Sequence, residues 1–301
     1  MRIAITGATG FVGKCLLDKH LQLGDSVRVL TRSRLSIPNV EVFQADLTST
    51  GLNLTSFLND IDVLYHCAGV LSDESKMEQL YVHGTKELIK YAKDNVGRWV
   101  QLSSVGVYGP CQAGSISESS DVHPNNIYEK SKLGSDELLM DSGIEYSILR
   151  PSIVFGDSMT NQSLFSMIRM INAGLFFYIG KPGAKMNYVH VHDVVQALHL
   201  CGTHADAKAD IFNLSQTISI ENMVPALGGE SCHRMPLAVA NFIASMSRIF
   251  PDIPLTSSRV KALTSRCSYS SEKIQKKLGF EFSSPLSLQF EKFAQAYAED
   301  R

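Results

Sequence analysis

The chain has no closely spaced cysteines, a single tryptophan and no excess of either charge. Its six cysteines are Cys15, Cys67, Cys111, Cys201, Cys232 and Cys267 in 301 residues. The nearest two, Cys201 and Cys232, stand 31 positions apart. That excludes CxxC redox motifs and zinc-ligand spacing. A reduced, cytoplasmic chain is the simplest expectation. Lys+Arg 28 against Asp+Glu 30 leaves a net charge of -2, so no basic excess points to nucleic acid or an anionic membrane. No apolar run reaches the ~18 residues of a membrane span, and the N-terminal residues show no signal-peptide core. Hydrophobic residues at 44% and charged residues at 19% exclude a disordered tail and fit an ordinary globular chain.

What is present is an alternation of strand and helix patterns. Short β-rich runs fall at 3–6, 27–31, 40–45, 61–67, 98–103 and 145–149. Helical patterns fall at 11–23, 77–95 and 128–142, and Gly24 and Gly143 stand where helix stops are favoured. This order predicts an α/β fold with a doubly wound, Rossmann-type parallel sheet. Ligands then bind at the C-terminal ends of the strands. Beyond Gly156 helices dominate, apart from a short strand at 210–214. We therefore expect a dinucleotide-binding domain at 1–156. A smaller, mostly helical substrate lobe follows at 157–301, with some return of the chain near 186–215. Val239, Phe242, Ile243, Met246, Ile249 and Phe250 share one helical face, which reads as a core-facing helix of that lobe.

The segment Thr6-Gly7-Ala8-Thr9-Gly10-Phe11-Val12-Gly13 lies between the first strand and the first helix. Gly7 suits a positive φ in the tight turn. Gly10 allows a pyrophosphate to approach the helix N-terminus, and Gly13 lets helix and strand pack closely. The second strand ends in Thr31, followed by Arg32 and Arg34, where an NAD site usually carries an acid. A guanidinium there suits a 2′-phosphate; the alternative is a pair of solvated loop arginines. Asp46-Leu47 and His66-Cys67-Ala68-Gly69 end the third and fourth strands.

Tyr128 and Lys132 stand at i and i+4 on one helix face. An adjacent ammonium favours the phenolate, so Tyr128 is a candidate acid/base. Spacing alone is weak evidence, because Tyr269 and Lys273 share it. Only Tyr128 follows a strand ending in hydroxyls, Ser103-Ser104. The nine histidines show no metal-ligand pattern, and Asp193 stands where it would cap the helix after His190.

Taken together, Thr6 to Gly13, Asp46-Leu47, His66 to Gly69, Gly84-Thr85, Ser103 to Gly109, Tyr128-x-x-Ser131-Lys132, Arg150-Pro151, Tyr188 to Asp193 and Leu278-Gly279-Phe280 resemble one family. It is the extended short-chain dehydrogenase/reductases of the NAD-dependent epimerase/dehydratase type. The resemblance implies that Tyr128 is the general acid/base. Lys132 lowers its pKa, and Ser104 hydrogen-bonds the reacting oxygen, with Ser103 as the near alternative. It also implies cofactor contacts from Gly7, Thr9, Gly10, Phe11, Val12, Gly13, Thr31, Arg32, Asp46, Leu47, Cys67, Ala68, Gly69, Tyr128, Lys132 and Pro151. The cofactor is expected to be NADP, with NAD as the alternative, and no metal is expected.

Three positions depart from the family pattern. Tyr81 replaces an Asn that relays protons. Ile153 replaces an Asn, and Met186 an Arg, that grip nucleotide substrates; Lys185 is a possible substitute for the latter. The expected reaction is hydride transfer at a carbinol or ketone carbon of a nucleotide sugar, by a 4-keto reductase or 4-epimerase. The alternative is an NADPH carbonyl reductase acting on an apolar ketone, similar to dihydroflavonol reductases or hydroxysteroid dehydrogenases. A non-enzymatic cofactor sensor fits least, since it has no need of a pKa-tuned tyrosine. No nucleic-acid or membrane partner is expected. A homodimer through helices 77–95 and 128–142 is implied by analogy.

Overall fold

The computed structural model describes residues 1–299 except 72, 112, 160–161, 231–232 and 248–254. Cys232, Ile249 and Phe250 thus lie outside the described residues. In chain order the strands are β1 (Arg2–Thr6), β2 (Ser26–Thr31), β3 (Val40–Gln44), β4 (Ile61–His66), β5 (Val96–Leu102), β6 (Ala113–Ile116) and β7 (Tyr146–Pro151). They continue as β8 (Ile153–Phe155), β9 (Tyr178–Ile179), β10 (Lys185–His190), β11 (Asp210–Leu214), β12 (Gln216–Ser219), β13 (Arg234–Met235) and β14 (Arg266–Tyr269). The helices that matter for the site are α1 (Phe11–Gln22), α2 (Thr55–Leu58), α3 (Thr85–Ala92) and α4 (Ile127–Met140).

A seven-stranded parallel sheet runs β11-β7-β5-β4-β1-β2-β3. The strand order reverses direction between β1 and β4, which is where such sheets open a ligand crevice. Ile3, Ile5, Val29, Val63 and Val100 are buried on one face with Leu16, Leu198 and Phe212. Ala4, Leu64, Trp99 and Ile148 are buried on the other with Leu88 and Leu139. Burial on both faces is the reason these strands read as apolar runs rather than alternating ones.

The segment after Gly156 contributes more strands than its helical pattern suggested, and some of them pair with strands of the first 156 residues. β8, β10 and β12 form a three-stranded sheet, and β9·β13 and β6·β14 form two-stranded ones. These strands are short and pair with distant segments, so no local period announces them. β7 and β8 belong to different sheets yet are separated by Ser152 alone, and β11 and β12 by Ser215 alone. Ser152 N donates to Leu214 O, and Ser215 N to Ser271 Oγ. The chain thus passes from the large sheet to the small one twice, side by side.

Two local expectations are corrected. The helix at 237–246 buries Ala240 and Ala244, not the expected face; Val239 is exposed and Phe242 is 66% exposed. Small residues on that side let the helix approach Ile179 and Val260 closely. Asp193 is not a cap. His190 caps the helix at 191–203 by accepting from His192 N. Asp193 is buried and accepts from Ser283 N and Gln289 Nε2, fastening the C-terminal segment.

The expectation of reduced cysteines is also corrected, since Cys111 and Cys267 form a disulfide. Pairing of β6 with β14 brings their Cα atoms to 5.8 Å across 156 residues of sequence. A search for closely spaced cysteines is blind to such a pair. Cys15, Cys67 and Cys201 are free. Among the described residues no helix is long and apolar enough to cross a membrane.

Candidate active site

The glycine segment after β1 makes a cradle that side chains would fill. Gly7 has φ 72°, and a Cβ there would stand 2.6 Å from the backbone of Cys67 and Ala68. A Cβ on Gly13 would fall 2.1 Å from Gly7 O. The turn closes through Gly10 N donating to Gly7 O at 2.9 Å. No side chain caps α1, and its first turn carries no acid. Thr9 and Gly10 are exposed and Phe11 and Val12 half-buried along this rim. An uncapped helix start beside a closely backed glycine turn suits a pyrophosphate, so these residues fit a dinucleotide.

Across the crevice, Thr6 Oγ1 pairs with His66 Nδ1 at 2.6 Å and accepts from Ala68 N. Burial, with the Lys132 charge adding to it, pushes the His66 pKa down to about 3. The ring is therefore neutral and purely a strut. Burial also raises the Cys67 thiol to about 12, which leaves it inert as a nucleophile. At the end of β2, Thr31 is buried and accepts from Ser33 N. Arg32 is exposed, and its carbonyl accepts from Gln44 Nε2. The Asp46 carboxylate accepts from Thr48 N and Oγ1, and its pKa is held low first by that backbone bond. Leu47 is buried beside it, against Gly84.

The Tyr128 helix begins where it does because of a reciprocal cap. Asn126 Oδ1 accepts from Glu129 N, and Glu129 Oε2 accepts from Asn126 N. This fixes Tyr128 in the first turn of α4, with Lys132 one turn on and Asp136 two. Tyr128 meets Ser104, whose hydrogen bond draws the phenol pKa down, but burial outweighs it and the net shift is upward. The lowering expected from Lys132 is thus not the net effect. Lys132 Nζ donates to Leu102 O at 2.6 Å. Burial lowers its own pKa to about 8, against the upward pull of Asp136 and Cys67.

Ser103 and Ser104 part ways. Ser103 is buried and donates to Asp136 Oδ2 at 2.7 Å, on the helix side. Ser104 stays half-buried, accepts from Gly106 N and faces Tyr128. Of the two, Ser104 is the one brought to the phenol. Pro151 is buried at the end of β7, paired in register with Leu214. Tyr269 stacks near Tyr108, with ring centroids 6.3 Å apart, and Lys273 is tied to Asp210. The second Tyr-x-x-x-Lys is therefore not assembled as a pair.

Asp136, which the sequence pattern did not single out, and Arg150 of the Arg150-Pro151 motif complete the surroundings. Asp136 and Arg150 form a fully buried ion pair at 3.1 Å. Arg150 Nη1 donates to the Tyr108 hydroxyl, which donates to Asn213 Oδ1. Asp136 was detectable as the next step of the Tyr128, Lys132 stripe. Its burial was not, because that depends on β5 and β7.

The expected helix at 77–95 is interrupted. A 3₁₀ turn at Glu74–Lys76 and a π-helical turn at Gln79–Gly84 precede α3. Tyr81 sits inside the π turn, with the Lys132 ammonium 4.4 Å from its ring centroid. In the second lobe, a cavity of about 640 Å³ is lined by Lys181, Arg234, Leu237 and Arg266. Arg266 donates to Pro182 O, and Arg234 to Gly180 O and Glu221. Lys185, the possible substitute for a missing arginine, donates to Ser268 Oγ at 3.3 Å. Met186 is buried in the lobe's core.

Comparison with known proteins places these features. The family model for the NAD dependent epimerase/dehydratase family matches residues 3–215. A UDP-glucose 4-epimerase of Vibrio cholerae is 28% identical over 245 residues, covering 75% of this chain and 74% of that protein. A 3 beta-hydroxysteroid dehydrogenase/Delta 5-->4-isomerase of Mycobacterium tuberculosis is 24% identical over 228 residues, 67% of this chain and 60% of that one. Among solved structures, MoeE5 in complex with UDP-glucuronic acid and NAD superposes with TM-score 0.76 at 22% identity, over 100% of both chains. A Thermotoga maritima UDP-glucose 4-epimerase with UDP-glucose gives 0.75 at 18%, over 100% of this chain and 99% of that one. The match spans the glycine cradle, Tyr128, Lys132 and the strand that ends at Leu214, and the chain belongs to the NAD dependent epimerase/dehydratase family.

Proposed function

We propose that the protein carries out NAD(P)-dependent hydride transfer at a carbinol or ketone carbon of a nucleotide sugar, as a 4-keto reductase or 4-epimerase. The observation that carries this reading is the contact of Ser104 with Tyr128, one helical turn from Lys132 and beside the glycine cradle. Gly7 backs onto Cys67 and Ala68, and the Cys67 thiol in turn feels the Lys132 charge. This supports placing the proton and hydride positions in one crevice.

Gly7, Gly10 and Gly13 with the start of α1 would hold the pyrophosphate, and Lys132 the nicotinamide ribose. The nicotinamide, when bound, supplies or accepts the hydride. The chain's own work is at the oxygen. Tyr128 gives its phenolic proton to a carbonyl oxygen as the carbon is reduced, and takes it back from the carbinol in the reverse direction. Ser104 Oγ hydrogen-bonds the same oxygen and fixes its distance from the phenol. Lys132 holds positive charge near the phenolate that forms. Lys181, Arg234 and Arg266 would meet the substrate's diphosphate, taking the place of the arginine that Met186 lacks.

A second reading, reduction of an apolar ketone, is favoured by Ile153, which is 48% exposed on β8. Incubation with a panel of nucleotide sugars and 4-keto sugars separates the two, with products and NADPH absorbance followed together. Turnover of apolar ketones alone would overturn the nucleotide-sugar reading. Stoichiometric NADPH oxidation marks a reductase, which we favour over an epimerase. Tightly retained cofactor with no net oxidation marks an epimerase.

We further propose NADP over NAD. Arg32 follows the strand end where the adenosine ribose belongs, and Thr31 adds no repulsion. A charge-assisted bond from Arg32 is worth about 1.5–3 kcal/mol, roughly 10- to 100-fold, with salt pulling toward the lower figure. Arg32→Ala is expected to reduce that preference and Thr31→Asp to reverse it, in dissociation constants measured at fixed ionic strength. Equal wild-type affinities, untouched by Arg32→Ala, would leave the arginines as solvated loop residues.

A further inference from the structure

We propose that Tyr81 is a positioning residue of this site, its ring seating the Lys132 ammonium and its hydroxyl clamping the 68–70 turn beside the cofactor crevice. The inference rests on the functional reading above. Tyr81 is only 1% exposed, yet it is not spent on core packing alone. Its hydroxyl donates to Val70 O at 2.8 Å and accepts from Val70 N at 2.9 Å. One phenol thus satisfies both backbone groups of the turn that leaves β4. A Cβ on Gly69 would come 3.0 Å from that hydroxyl, so the turn lies directly against it. The same ring meets Tyr128 edge-on, with centroids 5.8 Å apart.

The π-helical turn makes this placement possible. It adds one residue to a helical turn and rotates the following side chains relative to a regular helix. Gly84 at its end is pressed on Leu47, where a Cβ would come within 3.1 Å, so the segment has no room to slide. Tyr81 is thereby held over Lys132.

An ammonium has three donors. Leu102 O takes one, and the Tyr81 face takes a second. The other groups whose charge bears on Lys132 are Asp136 from its own helix, His66 at the end of β4 and Cys67 just after it. Only the Asp136 carboxylate among these carries opposite charge. The aromatic face therefore contributes to keeping Lys132 protonated in a buried place.

The test measures NADPH binding by fluorescence between pH 6 and 10, without substrate. In the wild type, affinity is expected to weaken as pH rises through about 8, where Lys132 loses its proton. Tyr81→Phe keeps the ring and frees the turn. Its dissociation constant should rise by about 2- to 12-fold, with the alkaline limb unmoved. Tyr81→Leu removes both, and its limb should move about half to one and a half pH units lower. Tyr81→Phe with wild-type affinity, or Tyr81→Leu with an unmoved limb, overturns the proposal and leaves Tyr81 a packing residue. Should Tyr81→Leu fail to fold, Tyr81→Phe still decides. Failure of the wild type to bind either NADPH or NADH would instead overturn the functional reading, and this proposal with it.

Discussion

Tyr128→Phe is expected to lower turnover by about 10²- to 10⁴-fold while cofactor affinity stays near the wild-type value. The substitution removes one oxygen and keeps the ring, so the edge contact with Tyr81 at 5.8 Å survives. The Asn126–Glu129 cap on which the helix start depends is untouched. What is lost is the hydroxyl that Ser104 meets. Burial raises the phenol's pKa, so at neutral pH Tyr128 carries its proton and is ready to act as acid in the reduction direction. In the oxidation direction it must first lose that proton, so the rate should rise with pH until Lys132 deprotonates. Initial rates in both directions, with dissociation constants for the cofactor, check this. Tyr269→Phe is the control and should be near-normal, because its would-be lysine partner is bound to Asp210. A reversal of the two behaviours would show that the wrong tyrosine has been assigned.

Arg150→Met should destabilise the fold by about 3–5 kcal/mol, since it leaves Asp136 charged, buried and without its cation. Arg150 also donates to Tyr108, which in turn holds Asn213 on β11. Asp136→Asn with Arg150→Met should recover part of the loss, because no buried charge then remains. The deficit also depends on pH. Burial raises the Asp136 carboxyl above its ordinary pKa of 3.8, so the folded chain binds its proton more tightly than the unfolded one. Stability from that group is therefore lost as pH rises through the interval above 3.8. Removing Arg150 widens the interval. The Arg150→Met deficit should be largest near neutrality and shrink toward pH 4. Urea midpoints at several pH values measure it, and a deficit independent of pH would rule out an ionised Asp136 as its source.

Most of the large sheet was legible because its information is local. A strand such as Ile3 to Thr6 is an apolar run closed by turn residues. The cradle of Gly7, Gly10 and Gly13 announces itself by residue type, since a Cβ on Gly7 or Gly13 would collide with backbone and one on Gly10 would be tight against Gly7 O. Features that depend on distant partners were not legible. Tyr81 reads only as a replacement for an Asn, and its seat on Lys132 appears only with the π turn. Asp136 reads as a solvated helix residue until β7 brings Arg150 to it. Phe242 fits an apolar stripe, but Ala240 and Ala244 allow the closer approach and take the buried side. Cys111 and Cys267 are joined only because β6 and β14 pair. Arg234 and Arg266 drew no reading from the sequence, and only the folding of β9, β13 and β14 places them around one cavity.

The single-residue crossings at Ser152 and Ser215 bear on how the chain can be cut. A fragment ending at 156 would keep six strands of the large sheet but lose β11 from its edge. The freed backbone of Tyr146–Pro151 would then offer a bare hydrogen-bonding row to any other extended chain. The apolar patch formerly covered by Phe212 and Leu198 would open beside it. Such a fragment is expected to self-associate on expression, whereas one that also supplies residues 186–215 in trans should remain dispersed. The two serine crossings thus tie the large sheet to the small one at two adjacent points.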